Sequence, residues 1–154
     1  WALKNDYDVM IQMDADFSHN PQYLIKMLDN IKDNDLVIGS RYVNGGGVQG
    51  WSWWRKFLSR GGSLYSKIIL GININDLTGG FKCWRSHLLK KIKLDKITSN
   101  GYSFQIEMNY RAFETGAKIK EMPIVFVDRL EGKSKMSKKI ILEAITKVWK
   151  IRFS

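Results

Sequence analysis

Residues 9–16 read Val9-Met10-Ile11-Gln12-Met13-Asp14-Ala15-Asp16, an apolar run that ends in two carboxylates separated by one small residue. Such a run predicts a strand that is buried on both faces of a sheet. Residues i and i+2 of an extended chain point to the same side, so Asp14 and Asp16 can face one ligand. Open α/β sheets bind their ligands beyond the carboxyl ends of strands, and we therefore expect a site here.

The two carboxylates favour a hard cation bound together with phosphate. Mg²⁺ or Mn²⁺ is typically held by one or two carboxylates plus substrate phosphates. A structural interpretation competes, because Asp, Ser and Asn also gather where a strand turns into a helix and cap its free N–H groups. Ser18 and Asn20, which Pro21 follows, are placed for capping, whereas Asp14 and Asp16 lie too far upstream. D-x-D is short enough to occur by chance, so both interpretations stay open at this point.

Composition indicates one globular domain with an anionic partner. The 154 residues are 44% hydrophobic and 26% charged, which argues against disorder. Cys83 is the single cysteine, and no apolar stretch approaches the ~18 residues that span a bilayer, so a reducing cytoplasmic setting fits best. The formal charge of +10 favours nucleic acid, a phosphorylated substrate or an acidic membrane face as partner. Because the sequence begins with Trp1 and not with Met, we expect an internal fragment.

The segments after the acidic pair predict a βαβ unit. Apolar residues at helical spacing predict a helix over residues 21–32, and residues 36–39 predict a second buried strand. Strand, helix and strand with short joins make a parallel sheet. Arg41 would then emerge at the same sheet edge as the acidic pair, which places a cation beside the proposed metal.

The middle of the chain combines a glycine-rich loop with a long helix. Residues 44–50 lack the glycine spacing of a dinucleotide fingerprint and the lysine of a P-loop, so we expect a mobile lid or a plain connector. Residues 51–70 predict a helix that ends at Gly71, on which Arg55 and Ser59 are one turn apart. Further elements are predicted as a strand at 81–84, a helix at 103–114 and one or two strands within 118–127.

The last part of the chain is basic. We expect residues 128–136 to form a charged loop, and residues 137–154 predict a basic amphipathic helix that either docks on the preceding 1–136 or lies in a membrane interface. Docking is the commoner outcome for such helices.

Six stretches in series resemble one family. They are D-A-D-F-S-H (14–19), G-S-R-Y (39–42), W-R-K-F-L-S-R-G (54–61), D-L-T-G-G-F-K (76–82), G-Y-S-F-Q-I-E-M (101–108) and F-V-D-R-L-E-G-K-S-K-M (126–136). In this order and spacing they are similar to the polyprenol monophosphate mannosyltransferases, or dolichyl-phosphate mannose synthases, of inverting glycosyltransferase family 2. The resemblance covers almost the whole chain, and its specificity comes from the series and not from D-A-D alone.

The resemblance implies a particular fold, and it implies that one part of the family's catalytic domain is missing from this chain. It implies a Rossmann-like α/β fold of the GT-A type, a mostly parallel sheet flanked by helices, that is incomplete at the amino terminus. Residues 1–136 would be the carboxy-terminal part of the catalytic domain. The family's first βαβ unit, which carries much of the guanine and ribose pocket, would be missing, so we expect the isolated chain to be inactive or nearly so.

The resemblance also implies a reaction. The family transfers mannose from GDP-mannose to a polyprenyl phosphate, with inversion and with Mg²⁺ or Mn²⁺, at the cytoplasmic membrane face; a membrane-anchoring subunit or segment is a possible partner, and nucleic acid is not. A divalent ion and fixed cations suit the charge that grows on the diphosphate leaving group. A phosphate monoester has a second pKa near ~6, so the attacking oxygen needs no strong base, and we expect His19 to cap or pack.

The site residues follow by matching positions. The metal pair is Asp14 and Asp16, and Ser18 stands where some members have a glutamine that also reaches the metal. The catalytic group would comprise Asp16, Asp76, Arg129 and Lys135, and the substrate-binding group Arg41, Arg55, Ser59, Glu107 and Ser134. In relatives the positions of Arg41, Arg55 and Ser59 hold the lipid phosphate, and the loop with Arg129 and Lys135 closes over the phosphates. Asp76 and Glu107 could orient substrate hydroxyls, or they could serve in a turn and in a salt bridge.

Two other functions stay open. A polyprenyl-phosphate glucosyltransferase or another family 2 transferase would share most of these motifs, although the late loop 126–136 favours mannose and the absent Q-x-x-R-W signature argues against a processive synthase. A nucleic-acid-binding module would explain the positive charge, six tryptophans and six tyrosines, but recognition motifs for it are missing.

Overall fold

The computed structural model describes residues 1–128 and 138–153. The strands are β1 (Val9–Gln12), β2 (Leu36–Ser40), β3 (Gly47–Gln49), β4 (Lys82–Arg85), β5 (Ile119–Pro123) and β6 (Val125–Val127). The α-helices are α1 (Tyr23–Asn30), α2 (Trp53–Leu70), α3 (Ser86–Lys91), α4 (Gly101–Glu114) and α5 (Lys138–Arg152). Short 3₁₀ turns lie at Ala2–Asn5, Ile31–Asp33 and Leu94–Lys96.

The main sheet has the strand order β1-β4-β2-β5. Strand β4 runs antiparallel to both of its neighbours, whereas β2 and β5 are parallel. Strands β1 and β2 therefore run in the same direction, as the βαβ pattern predicts, but β4 lies between them. The α/β class with flanking helices is confirmed, while the described part of the sheet is mixed and not mostly parallel. Hydrophobic periodicity does not show that β4 is inserted between β1 and β2, because strand order depends on contacts between distant segments.

Both faces of the sheet are covered. Leu36 and Ile38 of β2 face a core with the buried sides of α3, α4 and α5, whereas Val37 between them faces α1 on the other side. This alternation is the period-two geometry of a strand. Burial of each such aliphatic side chain contributes about 1.5–3 kcal/mol, so β2 anchors the sheet edge at which Ser40 and Arg41 emerge.

The residues that cap helices α1 and α2 lie close to where the sequence predicts them. The side chain of Asn20 accepts the backbone N–H of Gln22 at 2.9 Å, and α1 begins one residue later, at Tyr23. Helix α2 starts after Ser52, whose hydroxyl accepts the N–H of Arg55, and it ends at Gly71 with φ 68°, as predicted.

The glycine-rich segment differs from the expected loop. Residues 47–49 form β3, which pairs in parallel with β6 as a second, two-stranded sheet. The chain turns back so tightly that a Cβ on Gly46 would lie 2.6 Å from the carbonyl oxygen of Ser40. Glycine is therefore required for a packed turn here, and not only for mobility.

Helix α5 packs on α2 and α4. Val148 and Ile151 are buried in the main core, and Nη1 of Arg152 donates to the carbonyl oxygen of Leu70 and to the hydroxyl of Tyr110, at 3.2 and 3.1 Å. Within residues 1–128 and 138–153, no helix is both long and apolar enough to cross a bilayer.

Candidate active site

Asp14 follows β1 and lies at the sheet edge with an exposed carboxylate. Its backbone N–H donates to Nδ1 of His19 at 3.0 Å, which holds the loop after the strand. Its Oδ1 and Oδ2 lie 3.5 and 3.8 Å from the point where a Cβ on Gly80 would stand. Asp14 and Gly80 also line one cavity, so this carboxylate is accessible to a ligand that enters it.

Asp16 is held by its own turn. Its Oδ1 accepts both the backbone N–H and the hydroxyl of Ser18, at 3.1 and 2.5 Å. Ser18 is buried, so it orients Asp16 and does not cap α1. This local bonding is the Asx-type turn typical of Asp.

The donor set fits a hard cation that takes further ligands from elsewhere. The described residues contain no group of three or more His, Cys, Asp or Glu side chains that could hold a metal by themselves. Two carboxylates on one loop, with a cavity beside Asp14, suit Mg²⁺ or Mn²⁺ with substrate phosphates and water as the other ligands. A metal site formed by Asp14 and Asp16 stays a prediction, and it would be substrate-assisted, because these two residues do not form a closed set of metal ligands in the described part of the chain.

His19 packs under this loop, as predicted. Its ring is buried and stacks on Phe81 with centroids 4.7 Å apart, with the Phe126 ring edge-on at 5.3 Å. Burial lowers the pKa of His19, although the negative charge of Asp14 acts in the opposite direction. Since Nδ1 accepts the N–H of Asp14, the neutral ring carries its proton on Nε2. His19 thus acts as a support for the acidic loop.

Arg41 and Asp76 form a buried ion pair. The guanidinium donates from Nε and Nη2 to the two carboxylate oxygens, each at 2.7 Å, and Nη2 also donates to the hydroxyl of Thr78 at 2.9 Å. The backbone N–H groups of Arg41 and Gly79 donate to the same carboxylate. Burial acts to raise the pKa of Asp76, but the charge and hydrogen bonds of Arg41 outweigh it and hold that pKa below its usual value. Asp76 accordingly positions Arg41, and each of its oxygens already accepts two hydrogen bonds instead of facing a substrate hydroxyl.

One tryptophan, Trp51, lies close to both arginines of the site. The Cζ atoms of Arg55 and Arg41 are 4.0 and 5.4 Å from a ring centroid of Trp51. Nη1 of Arg55 also pairs with Asp128 at 2.8 Å. Among the described residues, the buried Nε1 of Trp51 and Nε of Arg55 have no hydrogen-bond acceptor. Buried donors are almost always satisfied in native proteins, so these two point to an anion that binds here.

These groups share one cavity. It is lined by Asp14, His19, Gly39, Arg41, Trp51, Arg55, Thr78, Gly79, Gly80, Tyr102, Ile124 and Phe126. The structure thus brings together three of the residues that the sequence singled out, namely Asp14, Arg41 and Arg55. Trp51, Thr78 and Tyr102 were missed as site residues, although Thr78 and Tyr102 fall inside the motifs D-L-T-G-G-F-K and G-Y-S-F-Q-I-E-M.

Other predicted residues lie outside this cavity lining. Ser59 is buried and its hydroxyl bonds to the hydroxyl of Tyr42 at 2.6 Å, one turn after Arg55. Glu107 is buried, accepts the N–H of Ser99 at 3.0 Å and lines a separate groove with Lys91 and Arg111. The structure therefore does not bring Glu107 together with Asp14, and a structural role fits its contacts. The predicted residues Arg129, Ser134 and Lys135 lie outside the described residues.

Comparisons with known proteins agree on one family. Residues 4–93 match the model for glycosyl transferase family 2. The chain is 47% identical over 148 residues to an undecaprenyl-phosphate mannosyltransferase of Micrococcus luteus, covering 96% of this chain and 61% of the relative. It is 45% identical over 155 residues to a polyprenol monophosphomannose synthase of Mycolicibacterium smegmatis, covering 99% of this chain and 58% of the relative.

A solved structure shares the fold. Glucosyl-3-phosphoglycerate synthase from Mycobacterium tuberculosis, in complex with phosphoglyceric acid, superposes with a TM-score of 0.66 at 13% identity. The match covers 99% of this chain and 52% of that one. At this identity the likeness bears on the fold alone.

Proposed function

The chain belongs to glycosyl transferase family 2, and from this membership we propose that it is part of an enzyme that transfers mannose from GDP-mannose to a polyprenyl phosphate. The printed names of the two curated relatives support the mannosyl group and the lipid phosphate acceptor. The observation that carries the proposal is the cavity that combines the Asp14 carboxylate with Arg41, Arg55 and two buried donors that find no acceptor within residues 1–128 and 138–153.

The donor would lie on the Asp14 side of the cavity. Asp14 and Asp16 would hold Mg²⁺ or Mn²⁺, which when bound supplies positive charge to stabilise the departing diphosphate. The cavity that Asp14 lines together with Gly80 supports this placement, because it leaves the Asp14 carboxylate accessible.

The acceptor phosphate would lie on the Arg55 side. Arg55 presents a planar fork suited to phosphate, and its Nε and the indole N–H of Trp51 are two buried donors that have no acceptor among the described residues. Both arginines are ion-paired, Arg41 with Asp76 and Arg55 with Asp128. Because the Asp128 contact uses Nη1, the Nε donor of Arg55 would remain for the phosphate. A lipid monophosphate carries about −1.5 to −2 at neutral pH, so its oxygen attacks without a strong base, in agreement with the structural role of His19.

A surface on α2 supports contact with a membrane. The helix buries Ser59, Ser63, Ser66 and Leu70, whereas five of its large apolar side chains are exposed, namely Trp53, Trp54, Phe57, Leu64 and Ile68. We call these five residues the outer face of α2. The basic residues Lys56 and Arg60 are on the same helix. Apolar and aromatic side chains beside lysine and arginine are typical of interfacial helices on anionic bilayers, so the outer face of α2 would lie against the membrane that carries the acceptor.

The experiment is a transfer assay with the whole protein. GDP-mannose and UDP-glucose are offered separately with a short-chain polyprenyl phosphate, with and without Mn²⁺. Mannosyl transfer from GDP-mannose that requires Mn²⁺ is expected. Transfer from UDP-glucose alone would overturn the choice of sugar, and equal rates in EDTA would overturn the metal.

A further inference from the structure

Lys82 is a fully buried cation beneath the candidate site. It opens β4 at the centre of the sheet, between Gln12 of β1 and Ile38 of β2, and its exposed fraction is 0%. Among the described residues, no carboxylate oxygen lies within 4.0 Å of the Lys82 ammonium. The ion pairs in this part of the chain are formed by other cationic side chains. Burial lowers the pKa of Lys82 to about 7, with the charge of Asp76 acting in the opposite direction.

Burial of an ammonium without a paired carboxylate lowers the stability of the folded protein. A buried ammonium without a paired carboxylate loses its hydration, and an apolar side chain of similar volume would fill the same position better. A buried ionisable group beside a cleft is a candidate for function for this reason. The contacts of Lys82 show what it can do.

Lys82 forms two hydrogen bonds with Gln105 of α4. Its Nζ donates to Oε1 of Gln105 at 2.7 Å and to the backbone oxygen of Gln105 at 3.2 Å. The ammonium form of Lys82 has donors only, so in that form the amide oxygen of Gln105 faces Lys82 and the amide NH₂ faces away from it. Lys82 thereby selects one of the two possible orientations of the Gln105 amide.

The NH₂ group of Gln105 reaches the ligand side of Gly80. Its Nε2 lies 3.7 Å from the point where a Cβ on Gly80 would stand, and Oδ1 of Asp14 lies 3.5 Å from the same point. A Cβ at that point would be in ordinary van der Waals contact with both groups. The amide donor and the carboxylate therefore flank one position beside Gly80, and Asp14 and Gly80 line the cavity. A ligand that reaches Asp14 there also meets an oriented N–H donor.

We propose that Gln105 binds the nucleotide-sugar donor through its amide NH₂, which donates to a donor oxygen beside Asp14, and that Lys82 is the positioning residue that sets this amide. The inference rests on the proposed function for the identity of the donor. Gln105 contacts the substrate, whereas Lys82 acts only through Gln105.

The decisive variant is Gln105→Glu in the whole protein. Glutamate keeps the oxygen that Lys82 needs and adds a complementary charge, but it removes the NH₂ group. We expect the KM for GDP-mannose to rise about tenfold or more, with an unchanged KM for polyprenyl phosphate and a melting temperature at least equal to that of the wild type. A merely structural glutamine would give wild-type kinetics in this variant, and that result would overturn the proposal.

Lys82→Met tests the positioning role. We expect a raised melting temperature together with a KM for GDP-mannose raised about tenfold. The effect should largely disappear when the same change is made in a Gln105→Met background, because residues that act as a unit are not additive. Lys90→Met on the exposed side of α3 is the matched control and should change neither quantity. A lowered melting temperature with unchanged KM values would make Lys82 a structural residue.

The two proposals fail separately. If the wild-type protein uses UDP-glucose and not GDP-mannose, the proposed function is wrong, and the same variants measured with UDP-glucose still decide the role of Gln105. If the wild-type protein uses GDP-mannose and Gln105→Glu matches it, only the inference on Gln105 is wrong.

Discussion

Replacement of Asp76 by Asn should destabilise the protein more than any surface change. Asn keeps the size of the side chain but removes the charge that balances Arg41, whose guanidinium is bonded to both Asp76 oxygens at 2.7 Å and whose side chain is only 6% exposed. Removal of one partner of a buried pair typically costs about 3–5 kcal/mol, because the other charge remains buried. For a protein of this size, such a loss lowers the melting temperature by about 6–20 °C.

The pH dependence of this effect has a definite sign. The folded-state pKa of Asp76 is below its usual value, so its stabilising contribution is present above the unfolded pKa of about 4 and is lost as the pH falls through the folded value. The melting temperatures of wild type and Asp76→Asn should therefore differ most near neutral pH and converge in acid. Arg41 remains protonated throughout, since the pKa of Arg41 is raised by Asp76 against the opposing effect of burial.

Thermal unfolding followed by circular dichroism at several pH values measures both effects. Asp29→Asn is the matched control, because its ion pair with Lys32 is solvent-exposed, and we expect no measurable change in its melting temperature. A melting temperature of Asp76→Asn within about 2 °C of the wild type at neutral pH would refute the reasoning, since it would mean that Arg41 finds another partner or water. A difference that persists unchanged into acid would show that the loss comes from packing and not from charge.

Three further outcomes follow from the site and from the outer face of α2. Asp14→Asn should abolish Mn²⁺-dependent binding of GDP-mannose in calorimetry and leave the melting temperature nearly unchanged, because the carboxylate is exposed. Arg55→Ala should raise the KM for polyprenyl phosphate about tenfold or more and the KM for GDP-mannose much less. Trp53→Ser with Phe57→Ser should weaken binding to anionic vesicles about tenfold, since both side chains are mostly exposed; Ile25→Ser on α1 is the exposed apolar control and should not.

Each of these three predictions would be contradicted by one particular result. Unchanged affinity for Mn²⁺ in Asp14→Asn would remove the metal from the proposed mechanism. A larger effect of Arg55→Ala on GDP-mannose than on the lipid would mean that the two phosphate positions are exchanged. Equal losses of vesicle binding in the α1 and α2 variants would indicate nonspecific adsorption and not an oriented face.

The predictions that succeeded concern local signals. The apolar run before Asp14 and the buried run before Arg41 form β1 and β2 because side-chain burial repeats along a single segment. Gly71 ends α2 because a left-handed residue is needed there. The order of these elements then places Asp14, Arg41 and Arg55 at one cavity, as the parallel direction of β1 and β2 implies.

The predictions that failed concern partners far apart in the chain. The sequence alone offers a cation at 41 and a carboxylate at 76 as two separate site residues, and only the fold joins them across 35 positions into one ion pair. The glycine-rich segment reads as a loop because β3 exists only through its pairing with β6. The sequence predicts a short strand that contains Lys82, but nothing nearby in the sequence shows that β4 lies between two other strands and buries this lysine.

The amino-acid sequence by itself determined the family, the acidic pair and the elements that end at the site, because motifs, turn residues and hydrophobic periodicity act within short segments. Only the tertiary structure decided which charges are neutralised and which donors are left without acceptors in the described part of the chain. Burial and pairing energies depend on distances between residues that are remote in sequence, as those of Arg41 and Asp76 or of Lys82 and Gln105 are.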